Sequence, residues 1–327
     1  MIRSKGILKS SLPAHWRPWQ RRKNTFIYYS ILALLAFARV MPFFVLRFVA
    51  IILGSLGFLF AYQERRVAIQ QLRKALPERQ SWWGLGWRVF IHFATAAAEC
   101  VKMNRFLVTD SPYIDFPPEC FAAIKKIHGE GRGIMMVTPH LGNWEILAQV
   151  CAKKCDFVIH TIAKQSYDPR MTELVKEFRA KGHVQCLWRD DPAVLRKTWR
   201  TLCEGGCLGV LIDQSTRVPS VMIPFFGEWA PTPIVPAQLV QKTKCAVIFG
   251  YAVREGKQYR IQIEEVPVPR SDNAEEDALR LTTDLTMRIE KAIRTYPEQW
   301  VWMHRRWQKR SGQQAIAKTT PKVAVID

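Results

Sequence analysis

Residues 133–145 read GIMMVTPHLGNWE, in which a short apolar run is followed by a turn and by the start of a helix. The run 133–138 has the length of a buried strand, and Pro139 ends it. Asn143 is a favourable N-cap for a helix that begins at Trp144. The same alternation predicts further strands at 157–163, 184–188, 207–212, 245–253 and 259–266, and helices at 144–154, 170–181, 192–203, 234–242 and 273–296. This pattern predicts an α/β fold with a largely parallel central sheet flanked by helices.

The turn after the first strand carries His140, and Glu145 follows five residues later. Sites in parallel sheets form at the carboxyl ends of the strands, so this pair is the first candidate for chemistry. Across a turn between a strand and a helix, the Glu145 carboxylate can reach back to the Nδ1–H of His140 and fix its tautomer. The other ring nitrogen, Nε2, would then act as a general base. A non-catalytic protein has no reason to bring these two side chains together.

No serine or cysteine nucleophile adjoins the pair, so the base suits direct attack by a substrate hydroxyl on an activated acyl group. Two other interpretations stay open: His140 and Glu145 could ligate a metal, or the histidine could simply pack at a strand end. The chain lacks a His-Glu-x-x-His motif, and its eight cysteines are widely spread, so neither a metal site nor a disulfide framework is expected.

The charge of the chain implies an anionic partner. Its 327 residues include 48 Lys and Arg against 28 Asp and Glu, a formal net charge of +20. Residues 1–24 contain seven basic residues and no acid, whereas only Arg39 and Arg47 are charged within 26–62. The stretch 26–62 therefore predicts a membrane anchor, either spanning or monotopic. The alternative is a pair of buried core helices.

A basic amphipathic segment follows the apolar stretch. Arginines and lysines at 65–74 alternate with apolar residues, and Trp82, Trp83 and Trp87 come next. This composition suits the interface of an anionic membrane. It could also stack nucleobases, but no RNA-recognition, zinc-finger or helix-turn-helix motif accompanies it, so nucleic acid is not expected as a partner.

An ordered set of short motifs extends over roughly residues 26–310. The motifs are RRVA at 65–68, ALPE at 75–78, GRGI at 131–134, HLGNWE at 140–145, LIDQ at 211–214, PFFG at 224–227, then Ala230 and Thr232, and YPEQWVWMHRRW at 296–307. The set resembles the lysophospholipid acyltransferase superfamily, and more narrowly its bacterial lipid A late acyltransferases, the lauroyl and myristoyl transferases. A His-x4-Glu motif alone is weak, but the ordered set is specific.

The resemblance implies a glycerolipid acyltransferase-like fold with a membrane anchor. It implies transfer of a fatty acyl chain from acyl carrier protein to a hydroxyl of a lipid A precursor, with no metal or redox cofactor. The enzyme would act on the cytoplasmic face of the bacterial inner membrane. Some relatives acylate mannosylated phosphatidylinositol instead, and that acceptor stays open. An alternative of another class is a non-catalytic, membrane-docked basic protein that binds lipid or nucleic acid.

The resemblance also assigns roles to residues. His140 becomes the base and Glu145 its partner, while Arg179 is a candidate phosphate or pantetheine contact. Many members have an Arg…Asn-Pro pattern at a strand end, where this chain has Lys164 and Asp168-Pro169, so a bidentate phosphate contact would become a point charge. The other candidate substrate contacts are Asp213, Gln214, Phe225, Phe226 and Gly227, of which the two phenylalanines could equally be core.

Five regions are expected: a basic tail at 1–25, the anchor at 26–62, an amphipathic helical region at 63–110, an acyltransferase domain at 111–310 and a C-terminal tail at 311–327. The basic residues 304–306 could bind phosphate or form a solvated surface.

Overall fold

The computed structural model describes residue 13, residues 15–308 and residues 315–316. Of the expected tails, residues 311–327 lie outside the described residues except for 315–316, whereas residues 18–25 of the basic tail form the start of the first helix. The helices are α1 Pro18–Val40, α2 Phe43–Phe60, α3 Tyr62–Ala75, α4 Trp82–Val101, α5 Asn104–Leu107, α6 Pro118–Gly129, α7 Trp144–Cys155, α8 Pro169–Ala180, α9 Val194–Cys203, α10 Val235–Thr243 and α11 Ala274–Thr295. The strands are β1 Ile114–Asp115, β2 Ile134–Thr138, β3 Ile159–Ala163, β4 Val184–Trp188, β5 Cys207–Leu211, β6 Ser220–Phe225, β7 Glu228–Pro233, β8 Ala246–Glu255, β9 Gln258–Val266 and β10 Ala315–Ile316.

Seven strands form the central sheet, in the order β1-β9-β8-β2-β5-β3-β4. All neighbouring pairs are parallel except the antiparallel hairpin of β8 and β9. The strand β2 lies between β8 and β5, and all five of its residues are buried. Helices cover both faces, so the predicted α/β fold with a largely parallel sheet is confirmed.

The two faces of the sheet belong to two hydrophobic clusters. Met135 and Val137 of β2 pack in one cluster with α3, α4 and α11. Ile134 and Met136 pack in the other with α6 and α7. This alternation follows from the period of two in a strand. A continuous apolar run, without polar positions, is the pattern of a strand buried on both faces.

A hairpin that the sequence does not predict lies beside the sheet. Strands β6 and β7 pair antiparallel, and the turn between them consists of Phe226 and Gly227, with φ of +53° and +75°. Two consecutive residues with positive φ give the tight turn whose twist matches a hairpin. The PFFG motif is thus a turn motif. Phe226 takes a backbone conformation that residues other than glycine and asparagine rarely adopt.

The apolar helix α2 packs against α4. It is the one helix of the described residues that is long and apolar enough to cross a membrane, with a mean hydropathy of 2.3. Its Leu46, Ala50, Gly54 and Phe58 are buried, and a Cβ on Gly54 would lie 2.8 Å from the Cα of Ile91 in α4. The two helices therefore pack with their backbones close together.

Strand order brings the site residues together. Because β2 and β5 are adjacent and parallel, the residues that follow Thr138 and Leu211 meet at the same edge. Gly142 then turns the chain into α7 with a φ of +64°, and a Cβ there would lie 1.8 Å from the carbonyl oxygen of Ala252. Only glycine fits this close approach to β8.

Candidate active site

His140 lies at the carboxyl edge of β2 and is held by Asp213, which comes from the edge of β5. Its Nδ1 is 2.8 Å from Oδ1 of Asp213, and its backbone N–H donates to Oδ2 at 2.7 Å. The Asp213 side chain is completely buried, whereas the His140 side chain is 21% exposed. The carboxylate is thus fixed inside the protein, and the imidazole lies between it and the surface.

Trp300 supplies a third hydrogen bond to the same carboxylate. Its Nε1–H donates to Oδ2 of Asp213 at 2.7 Å, and its side chain is fully buried. Burial by itself raises the pKa of Asp213, but the His140 ring and the three hydrogen bonds together lower that pKa below its ordinary value. Asp213 is therefore ionised at neutral pH.

An ionised carboxylate at Nδ1 fixes the tautomer of His140. Nδ1 carries the hydrogen that Asp213 accepts, so Nε2 of the neutral ring has a free lone pair. Among residues 15–308, none makes a hydrogen bond to Nε2. The ring also meets Trp144 edge to face, with the ring centres 5.0 Å apart. The arrangement is that of an oriented general base with a negatively charged partner.

The predicted hydrogen bond between Glu145 and His140 is wrong. Glu145 lies in the first turn of α7 and faces Arg179 of α8, whose Nε is 3.2 Å and 3.1 Å from its two carboxylate oxygens. The place that Glu145 was expected to take at Nδ1 is taken by Asp213, which reaches it from the neighbouring strand. Sequence separation hides this partner, because His140 and Asp213 are 73 positions apart in the chain.

Arg179, a candidate phosphate or pantetheine contact, is paired within the protein. Burial lowers the pKa of its guanidinium, but the hydrogen bonds and charge of Glu145 outweigh burial and raise that pKa above its ordinary value. The side chains of Glu145 and Arg179 are 18% and 17% exposed. Glu145 and Arg179 thus form a half-buried, neutralised ion pair beside the dyad of His140 and Asp213.

A narrow, mainly apolar cavity of about 40 Å³ runs between the sheet and α7, next to this ion pair. Its walls include Met136 and Thr138 of β2, Ile159 and Thr161 of β3, and Gly209 and Leu211 of β5, with Trp144, Glu145, Leu147, Ala148, Arg179 and Val184. Residues two apart in a strand share a face, so the cavity follows the strand direction away from the carboxyl edge. Trp144 contacts both the cavity and His140.

The remaining predicted substrate contacts are spread over several parts of the fold. Phe225 and Phe226 are buried behind Trp300, with 5.8 Å between the ring centres of Phe225 and Trp300. Gly227 completes the β6–β7 turn. Gln214 is half-buried beside Asp213, and Lys164 is exposed just after β3, where Asp168 caps α8 by accepting from the N–H of Arg170 at 3.0 Å. None of these residues lines the cavity.

The basic triplet 304–306 divides into different environments. Arg306 is fully buried: it donates to the carbonyl of Pro231 at 2.5 Å and to the hydroxyl of Thr232 at 2.7 Å. Burial lowers its pKa to about 10, against a smaller opposite effect of the Asp213 charge. Arg305 is exposed. The triplet is therefore not a uniform solvated surface.

The described residues contain no group of three or more histidine, cysteine, aspartate or glutamate side chains that could hold a metal ion. Cys151 and Cys207 are buried and Cys100 is half-buried, and desolvation raises the pKa values of all three thiols, so they are poor nucleophiles.

Comparison with known proteins identifies the family of the chain. A family model described as bacterial lipid A biosynthesis acyltransferase matches residues 17–309, a range that holds His140, Asp213 and Trp300. A phosphatidylinositol mannoside acyltransferase of Mycobacterium tuberculosis (strain CDC 1551 / Oshkosh) is 22% identical over 181 residues. That alignment covers 54% of this chain and 55% of the mycobacterial protein, so the chain spans about half the length of this curated relative. On the strength of the family match, the chain belongs to the bacterial lipid A biosynthesis acyltransferase family.

Proposed function

We propose that the chain transfers a fatty acyl group to a hydroxyl of a glycolipid, with His140 as general base. The observation that carries this proposal is the arrangement of His140 between buried, ionised Asp213 and the surface, beside an apolar cavity. Asp213 replaces Glu145 as the group that orients the base.

The reaction uses one base and no enzymic nucleophile. The acceptor hydroxyl gives its proton to Nε2 of His140 while its oxygen attacks the thioester carbonyl, which forms the new C–O bond. Collapse of the tetrahedral intermediate breaks the C–S bond, and the leaving thiolate takes the proton back from Nε2. The negative charge of Asp213 stabilises the imidazolium between these two steps.

The apolar cavity is the place that we propose for the acyl chain. It starts at Trp144, which touches His140, and its walls are mostly hydrocarbon. Glu145 then acts on the cavity wall: it neutralises Arg179, so that no unpaired charge faces the chain.

We propose an acyl thioester on acyl carrier protein as donor, because such carriers are acidic and this chain has a net charge of +20. The chemistry needs no metal or redox cofactor, since the thioester is already activated. Lys164 and Gln214 are proposed substrate contacts at the carboxyl edge of the sheet.

The family match favours a lipid A precursor as acceptor, and the mycobacterial relative favours a phosphatidylinositol mannoside as the second candidate. Both are anionic membrane glycolipids. An enzyme held at the membrane, here proposed as the cytoplasmic face of the bacterial inner membrane, acts on such a lipid without extracting its chains into water.

The test compares the full-length protein with His140→Ala, using both acceptors and mass spectrometry of the products. We expect wild type to add one acyl mass to one acceptor and the variant to lose about 10²–10⁴-fold in rate, the usual contribution of a general base. Equal acyl transfer by the two proteins would mean that the chemistry lies elsewhere and would contradict the proposal. No transfer by wild type to either acceptor would favour a non-catalytic lipid-binding protein.

A further inference from the structure

An open pocket of about 650 Å³ lies outside the dyad and the acyl cavity, between α3 and residues 305–308. One wall is a single face of α3, which carries Tyr62, Arg66, Gln70 and Lys74 at helical spacing. The other wall is formed by Arg305, Trp307 and Gln308. Cations, side-chain amides and aromatic rings thus converge on one concavity.

Two of the three cations in this pocket are available to a ligand. Lys74 is paired with Glu228 at 3.2 Å. No ion pair among residues 15–308 uses Arg66 or Arg305, and both side chains are exposed on opposite walls. Two facing guanidinium groups suit a phosphate, which accepts the parallel hydrogen bonds that arginine donates.

The rest of the lining suits a sugar better than a bare anion. The amides of Gln70 and Gln308 can both donate to and accept from hydroxyl groups. Tyr62 and Trp307 offer aromatic faces, and the indole N–H of Trp307 is fixed by the carbonyl of Phe225 at 3.2 Å. A few polar groups on rigid aromatic walls give orientation to a small ligand.

Hydrogen bonds and ring contacts connect the pocket to the dyad. Gln71, on its floor, donates to the carbonyl of His304 at 2.7 Å, and the ring of His304 accepts the N–H of Ser215 at 3.2 Å. Ser215 lies two residues after Asp213. From the pocket, two ring contacts lead through Phe225 to Trp300, with ring centres 5.8 Å apart in each.

The pocket also lies where the apolar helix ends. α3 begins two residues after the exposed Phe60, the last residue of α2. Arg65 donates to the carbonyls of Phe58 and Leu59 and so caps α2, which leaves Arg66 to face the pocket. A lipid whose chains lie along α2 would therefore present its headgroup at this level.

We propose that this pocket binds the phosphorylated carbohydrate headgroup of a membrane lipid, with Arg66 and Arg305 on the phosphate. The inference rests on the proposed function, because it holds the acceptor's headgroup while a hydroxyl of its acyl chain reaches His140. It adds a site on the far side of Trp300 to the catalytic edge of the sheet.

Binding is measured by calorimetry on the full-length protein in neutral detergent, with N-acetylglucosamine 1-phosphate, N-acetylglucosamine and inorganic phosphate as probes. We expect the sugar phosphate to bind at least tenfold more tightly than either part alone. Arg66→Gln and Arg305→Gln should each weaken it about tenfold, the usual scale of a charge-assisted hydrogen bond. The matched control is Arg200→Gln, an exposed arginine on α9, which should leave binding unchanged.

Two results would overturn the pocket. One is sugar-phosphate binding that is equal in Arg66→Gln, Arg305→Gln and wild type; the other is inorganic phosphate binding as tightly as the sugar phosphate. A third arm tests the source of the headgroup. Vesicles that carry a phosphorylated glucosamine lipid should displace the soluble probe, whereas phosphatidylglycerol vesicles should not, and failure of the glycolipid to displace it would overturn the lipid assignment.

Acyl-thioester turnover in the same preparations separates this inference from the proposed function. Thiol release without acceptor should depend on His140 and should be unchanged in the control Arg200→Gln. If the sugar phosphate binds no more tightly than inorganic phosphate while turnover still depends on His140, the assignment of the pocket is contradicted and the proposed function is not. If turnover persists in His140→Ala, the proposed function is contradicted, whatever the pocket binds.

Discussion

Three hydrogen bonds converge on the Asp213 carboxylate, from the ring and backbone of His140 and from the indole of Trp300. Asp213→Asn keeps the shape of the side chain but removes its charge. One of the two carboxylate oxygens is replaced by an amide nitrogen, which donates hydrogen bonds instead of accepting them. The imidazole then has no partner that fixes the productive tautomer, and its protonated form is unsupported. We expect kcat to fall about 10²–10⁴-fold with little change in fold, measured by acyl transfer and circular dichroism.

Glu145→Gln is the informative comparison for that variant. It leaves the contacts of His140 in place but removes the charge that neutralises Arg179. We therefore expect the shape of the pH–rate profile to be kept in Glu145→Gln and altered in Asp213→Asn. Similar changes of profile in both variants would show that Glu145 acts on the base after all.

Gly209 lies in the wall of the apolar cavity, where a Cβ would lie 3.3 Å from Cγ2 of Ile159. Gly209→Leu should fill the cavity and shift the preferred donor to a shorter acyl chain, which mass spectrometry of products from mixed thioesters measures. Val210→Ile, on the opposite face of the same strand, is the matched control. An unchanged chain-length distribution in Gly209→Leu would mean that the acyl chain lies elsewhere.

At the scale of elements, α2 is joined to the catalytic half by charge as well as by packing. Arg47 lies 3.5 Å from the completely buried Glu99 of α4, which also contacts Arg254 and the Tyr259 hydroxyl. Arg47→Gln leaves one oxygen of Glu99 without its cation. We expect a loss of about 1–3 kcal/mol in the free energy of unfolding, measured by thermal unfolding in detergent.

Arg39→Gln serves as the control for Arg47, because it removes an arginine from the adjacent helix α1 whose side chain makes no ion pair among the described residues. Equal stability of the two variants would show that the contact between Arg47 and Glu99 contributes little, and that packing alone holds α2.

The spacing of apolar residues and the residues at turns were enough to predict the strands of the parallel sheet and the helices between them. The buried run before Pro139, the cap at Asn143 and the regular alternation that follows all depend on local sequence. The β6–β7 hairpin was not predicted, since its turn uses Phe226 at positive φ rather than a favoured turn residue. The partner of His140 was also missed, because pairing across neighbouring strands depends on sheet order, and the sequence does not state which strands are adjacent.

For the whole molecule, apolar and basic surfaces occur together. Phe44, Phe48, Leu53 and Phe60 of α2 are largely exposed, as are Trp83 and Trp87 on α4. We expect the full-length protein to bind vesicles more strongly as their phosphatidylglycerol content rises, and salt to weaken this binding without abolishing it. Flotation at low and at 1 M salt measures both. Complete release at 1 M salt would mean that the apolar surface does not enter the bilayer.

The hydrogen bond from Trp300 to Asp213 has a consequence for the order of events during synthesis. A ribosome delivers α1 and α2 first, more than two hundred residues before Trp300. The carboxylate of Asp213 therefore lacks one of its donors until residue 300 has emerged. The apolar helix can meet a membrane during all of that time, so we expect a nascent chain to be placed at the bilayer before the hydrogen bonds around His140 and Asp213 are complete.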